Sequence, residues 1–187
     1  MFRRTIHAVL MLGLVVAAAA QLRHQQQPPS TQLRLQVSTD RQSYKLADSL
    51  QLDAQLVNTG EEDVYIYTWD LCWNAFRGLS LHLISSDDSA ARGHVLLDCV
   101  PPPPDPRDVY QFVRLEPRRV YGLMDTFKVR DVVSKPGDYR LQVTFSGSLS
   151  RDWIHESMAT VPIATLPLWT MERPPLKSNT IQLTITR

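Results

Sequence analysis

The sequence predicts an all-β domain over residues 33–187, an antiparallel β-sandwich of seven to nine strands. Three observations predict it. Apolar and polar residues alternate with period two in one segment after another, as strands with one buried face require. Polar turns rich in Gly, Pro, Asn and Asp separate those segments. After residue 32 no long window carries the 3.6-residue repeat of an amphipathic helix.

The chain before residue 33 carries export signals. Arg3 and Arg4 precede an uncharged apolar run, Ala8 to Ala20, which ends in Ala17–Ala20. A positive start, a short apolar run and small residues form the pattern of a signal peptide, with cleavage expected after Ala20. The run is short against the roughly 20 residues that span a bilayer, so an uncleaved anchor is the weaker alternative. No later segment is apolar enough to cross a membrane. Residues 21–32 are polar, Gln-rich and contain Pro28-Pro29, and they predict a tether with nothing to bury.

The strands then follow in order. Leu33, Leu35 and Val37 alternate with Arg34, Gln36 and Ser38. A polar turn carrying Tyr44 leads to Leu50, Leu52, Ala54 and Leu56, which alternate with Gln51, Asp53 and Gln55. Asn58-Thr59-Gly60 ends that strand, and Glu61-Glu62-Asp63 makes the turn acidic. Calcium loops space their carboxylates, so this trio reads as a solvated turn. Val64 to Trp69 is apolar on both faces, with Val64 and Ile66 on one and Tyr65, Tyr67 and Trp69 on the other. Leu79, Leu81 and Leu83 mark a fourth strand, and Val95, Leu97 and Cys99 a short fifth. Pro101 to Pro106 cannot join a ladder, because proline lacks the donor, and predicts a stiff bridge. Val109–Leu115 and Val120–Val129 are the sixth and seventh strands. Lys135-Pro136-Gly137-Asp138 forms a turn before Tyr139, Leu141, Val143 and Phe145. Ser146 to Asn179 is long and irregular, and Ile181, Leu183 and Ile185 close the domain.

A tyrosine opening a late strand after a tight turn matches the tyrosine corner of immunoglobulin-like sandwiches. The stretch STDRQSYKLADSLQLDAQLVNTGEEDVYI also resembles the opening of bacterial extracytoplasmic immunoglobulin-like domains. These include macroglobulin-like domains, adhesion-related repeats and the family named after a bacillus proteinase inhibitor. They share a Tyr, a short polar step, a strand and then Asn-x-Gly. SKPGDYRLQVTF and LKSNTIQLTIT look like the closing strands of the same class. The chain departs from the pattern at Ala47, where Gly is usual. The resemblance covers most of residues 33–187 and implies a fold; its motifs are structural, so no functional residue transfers.

Composition excludes some functions. With 20 basic and 19 acidic residues, the chain has no electrostatic footprint for nucleic acid. Cys72 and Cys99 are its only cysteines, and outside the cytoplasm two cysteines in one domain commonly pair. That bridge would close a loop of about 28 residues, worth about 3.5 kcal/mol in the chain-entropy model. Free buried thiols are the alternative. His82, His94 and His155 lack the spacing of a metal site and form no motif with a nucleophile, and no cofactor is expected.

The remaining signal is aromatic. Trp73 lies in the 70–78 loop, and Trp153 and Trp169 lie in the 147–178 loop. Both loops exceed ordinary length. If the loops are neighbours, their three indoles could form one exposed surface for a protein or glycan partner at the cell envelope. The expected function is that of an exported, non-enzymatic binding or structural module. A proteinase inhibitor presenting a rigid loop is one alternative, and a hydrolase with a site invisible in sequence is another.

Overall fold

The structure is a computed structural model that describes residues 33–73, 78–86, 105, 108–158 and 165–187. The expected signal segment, the tether, the fifth strand with His94 and Cys99, and all of the proline bridge but Asp105 lie outside the described residues. No helix among those described is long and apolar enough to cross a membrane.

Two main sheets share one core. The first has the order β1-β3-β7, from Leu33–Thr39, Ser49–Asn58 and Val120–Lys128. The second has the order β2-β10-β8-β5, from Ser43–Lys45, Ile181–Thr186, Gly137–Ser146 and Gly78–Ser85, with β9, Leu176–Lys177, also paired to β8. This is the connectivity of an immunoglobulin-like sandwich: the first, second and fifth strands of the plan on one side, the third, sixth and seventh on the other. Period-two alternation decides which side chains enter the core. Leu35, Leu52, Leu81, Val143 and Leu183 are all buried, as their alternation requires, and belong to one cluster that spans both sheets. Their neighbours Gln36 and Thr184 are exposed, and Gln51, Ser80 and Gln142 are half-buried.

Local polar chemistry closes the sandwich. The Tyr139 hydroxyl donates to the Lys135 carbonyl at 2.8 Å, completing the tyrosine corner. Asn58 is buried, and its amide donates to the carbonyls of Glu62 and Leu115 while its oxygen accepts from the Gly60 N–H. That explains Asn-x-Gly: the side chain satisfies backbone groups that leave the ladder at the strand end. Asn179 bonds both the N–H and the carbonyl of Val37, at 2.8 and 3.0 Å, and so occupies the free edge of β1.

Several boundaries differ from the sequence reading. The turn around Tyr44 contains β2, which runs parallel to β10 and not antiparallel. Three residues are too few to show alternation, yet Tyr44 is fully buried. The third strand, β4, is only Val64–Tyr67, because Thr68–Leu71 forms a 3-10 turn. The sixth, β6, is only Phe112–Leu115; before it, the Asp108 carboxylate captures the Tyr110 N–H at 2.9 Å and bends the chain. The seventh stops at Lys128, followed by one helical turn, Val129–Val132. The long segment read as irregular holds a helix, Arg151–Met158.

Candidate functional site

The least generic region lies beside the sandwich, where β4 pairs antiparallel with β6 in a separate two-stranded sheet. β4 is buried on both faces, as its unbroken apolar run requires. Val64 and Ile66 enter the sandwich core. Tyr67 enters a second cluster with Phe112, Leu149, Ile154 and Leu168, and Tyr65 packs on its margin. The alternation read from sequence therefore sorts β4 between two cores. Trp69 falls in the 3-10 turn instead and is exposed. Burial, and then the charge of Asp70, raise the Tyr67 phenol above its usual range.

The segment after residue 165 runs alongside β4. Tyr65 N–H donates to the Pro167 carbonyl at 3.1 Å, and Trp169 N–H donates to the Tyr65 carbonyl at 2.8 Å. The helix Arg151–Met158 covers the outer side. Ser150 caps it: its hydroxyl accepts the Trp153 N–H at 3.1 Å, and Asp152 sits in the first turn, where the helix dipole favours negative charge. Glu172 accepts the Arg151 N–H at 2.9 Å. The Thr170 hydroxyl holds the Glu172 carboxyl below its usual range, with the Arg151 backbone and side chain adding to the effect.

Between helix and segment lies a cavity of about 260 Å³. Arg151 and His155, four residues apart on one helix face, line it together with Arg173 of the later segment. Ile154, Leu166 and Leu168 supply an apolar wall. Arg173 also stacks on the Trp169 ring at 5.7 Å. Among the described residues neither Arg151 nor Arg173 forms an ion pair. A second hollow, of about 400 Å³, lies by the β6–β7 turn. There Arg114 bonds Asp63 at 2.7 Å and Arg119 meets Glu116 at 3.7 Å, so among the described residues two of its three arginines are paired and Arg118 is not.

The two long loops do meet. The Ser148 N–H donates to the buried Asp70 carboxylate at 3.1 Å, and Gly147 lies against the Trp169–Thr170 backbone. The expected aromatic surface does not form on them. Trp73 is buried edge-on against Phe127, at 5.4 Å between ring centres. Trp169 is buried over Phe145 at 6.4 Å. Only Trp153 is partly exposed, on the margin of the second cluster. The physical reason is that the last long loop folds back onto β4 and β8, and its large apolar rings are spent on packing. Cys72 is half-buried after the 3-10 turn, and its expected partner lies outside the described residues. His82 lies on β5 within 3.0 Å of the Thr144 hydroxyl.

Sequence reasoning weighed His155 only as a metal ligand or catalytic partner and missed Arg151 and Arg173. One signal was available. Ser150 as cap and Asp152 in the first turn announce a helix that would place Arg151 and His155 on one face.

Fold and site together define an immunoglobulin-like sandwich with a cationic cavity on an added side cluster. No family profile and no curated protein matches the sequence. Several solved structures are similar at low identity. One is the CARDB domain of a Pyrococcus furiosus protein, solved in complex with di-metal ions: 10% identity, 83% of this chain and 93% of that one, TM-score 0.40. Another is a sporulation control protein from Bacillus subtilis: 8% identity, 84% of this chain and 50% of that one, TM-score 0.41. A third is a β-glucosidase from Listeria innocua in complex with glucose: 11% identity, 84% of this chain and 16% of that one, TM-score 0.39.

Proposed function

We propose that this chain is an exported, non-enzymatic binding module of the cell envelope or extracellular space. Residues 1–20 are a cleaved signal peptide, 21–32 a tether and 33–187 the binding domain, of the bacterial extracytoplasmic immunoglobulin-like class. The observation that carries the binding role is the cavity beside the helix. It brings together two arginines, one histidine and an apolar wall. Guanidinium groups stay protonated at any working pH, so they hold an anion but cannot take up a proton as a general base. Such a lining suits recognition better than catalysis. The charged start and the Ala17–Ala20 end support export. A Cys72–Cys99 bridge belongs to the same proposal, supported by the finding that no cysteine among the described residues is free.

The test joins export to binding. Protein recovered from outside the cell should begin near Gln21 and show no titratable thiol before reduction. Immobilised, it should retain envelope material saturably. Retention of residues 1–20, or no saturable retention, would overturn the proposal.

A further inference from the structure

We infer that the cavity beside the Arg151–Met158 helix is a site for a free carboxylate carried on an apolar group, as at the C-terminus of a peptide ending in an aliphatic residue. The inference names the ligand class for the binding role proposed above, and rests on it.

The charge is the first reason. Arg151 and Arg173 approach the cavity from two segments 22 positions apart in the chain, and His155 adds a third nitrogen-bearing group. Guanidinium presents a planar fork of N–H donors that matches a carboxylate two bonds at a time. Glu172 offsets part of the charge at Arg151, while Arg173 has no acidic group within ion-pair distance among the described residues; the remaining like charges repel, and an anion between them relieves that repulsion. The acidic groups nearby fill the role only in part. Glu172 accepts the Arg151 backbone N–H at 2.9 Å and its charge acts on the Arg151 side chain, but it does not line the cavity. Asp152 and Glu156 are exposed on the same helix and do not line the cavity.

The wall is the second reason. Ile154 and Leu168 are buried members of the second cluster, and Leu166 is half-buried beside them. A phosphate or sulfate would satisfy the arginines but gain nothing from Leu166 and Pro167, the half-buried apolar residues of the lining. A carboxylate with an adjoining aliphatic side chain satisfies both. Size agrees. At about 260 Å³ the cavity sits below the usual 300–1,000 Å³ of sites for drug-sized ligands, so it takes one terminal residue and not a long chain. Capture of a terminal carboxylate is one of the recurring modes of peptide recognition.

The experiment titrates the purified full protein with N-acetyl-leucine, N-acetyl-leucinamide and inorganic phosphate, and follows backbone amides by two-dimensional NMR. N-acetyl-leucine should shift the amides of residues 151–155 and 166–173 saturably, with half-saturation at roughly millimolar concentration, as its dozen heavy atoms allow. The amide, which lacks the charge, and phosphate, which lacks the apolar part, should each bind at least tenfold more weakly. Arg151→Glu and Arg173→Gln should each weaken N-acetyl-leucine at least tenfold, with thermal unfolding checked in both. Equal shifts from acid and amide would overturn the inference without any variant. So would phosphate binding as tightly as the acid, or no saturable shift in these segments. If saturable retention of envelope material survives in Arg151→Glu, the binding role stands and this ligand assignment falls. If acid binding is seen but envelope retention is absent, the wider proposal falls instead.

Discussion

The sandwich core and the cluster under the helix use the same kinds of side chain at very different scales. The core draws buried residues from both main sheets, including Leu52, Leu141, Val143 and Phe145, each fully enclosed. Among the described residues the side cluster has five buried members, and the two paired strands that help frame it are four residues each. A two-stranded sheet that short is marginal alone, so this region depends on the sandwich through β4, while the sandwich depends less on it. The difference shows how a stable frame can carry a site. The frame spends its alternating residues on packing. The addition, with a smaller core, has charged groups left to line a cavity.

The largest expected effect tests that asymmetry directly. Val143→Ala removes a fully enclosed side chain from the centre of the core and should cost about 2–4 kcal/mol of global stability, read by denaturant unfolding. Ile154→Ala makes a similar deletion in the side cluster and should lower global stability by no more than about 1 kcal/mol, because that region can open while the sandwich holds. Equal costs would break the comparison.

The seam between the regions is next. At Gly147 an added Cβ would come within 2.8 Å of the Trp169 carbonyl oxygen and 2.8 Å of the Thr170 carbonyl carbon. Both are backbone atoms and cannot swing aside. Gly147→Ala should therefore cost more than about 1 kcal/mol and disturb the cavity amides more than those of β3. A neutral substitution would mean the last loop is not seated as described.

The smallest effect belongs to the sandwich edge. The Tyr44 hydroxyl donates to Asp40 at 2.6 Å, and burial, with Asp40 adding, pushes its pKa up to about 12. A phenol raised in the folded state contributes stability that is fully present below its unfolded value near 10 and is lost as pH rises to about 12. Asp40 runs the other way: the Tyr44 hydroxyl holds it low, so its contribution is lost only as pH falls into the acid range. Tyr44→Phe should cost about 1 kcal/mol at neutral pH. It should also flatten the decline in stability between pH 10 and 12 and remove the highest-titrating tyrosine. An unchanged alkaline slope would show that Tyr44 does not carry it.

How far the sequence could be read follows the same division. Residues that alternate over seven or more positions, such as Leu33–Thr39 and Ser49–Asn58, announce strand, face and register together, because one side must be buried. Asn58-Thr59-Gly60 and Tyr139 were legible as turn and corner because each does its work within a few residues. The side region was not. Its helix of eight residues is too short for its periodicity to stand out, and its cap, Ser150, is one serine among many. The three tryptophans were legible as unusual, but whether a large ring faces water or Phe127 is decided by the path of the whole chain. The cavity joins Arg151 to Arg173 only because the intervening segment returns along β4, and nothing local in either residue announces it.

The claim that the side region is a separate, less stable unit on a rigid frame is tested most directly by native-state hydrogen exchange. The amides of β3 and β8 should exchange only through global unfolding. The hydrogen-bonded amides of the helix, from Ile154 onward, should open at least about 2 kcal/mol more easily, with no loss of protection in the sheets. If helix and sheet amides show the same opening free energy and the same response to denaturant, the two regions form one cooperative body and the account is contradicted.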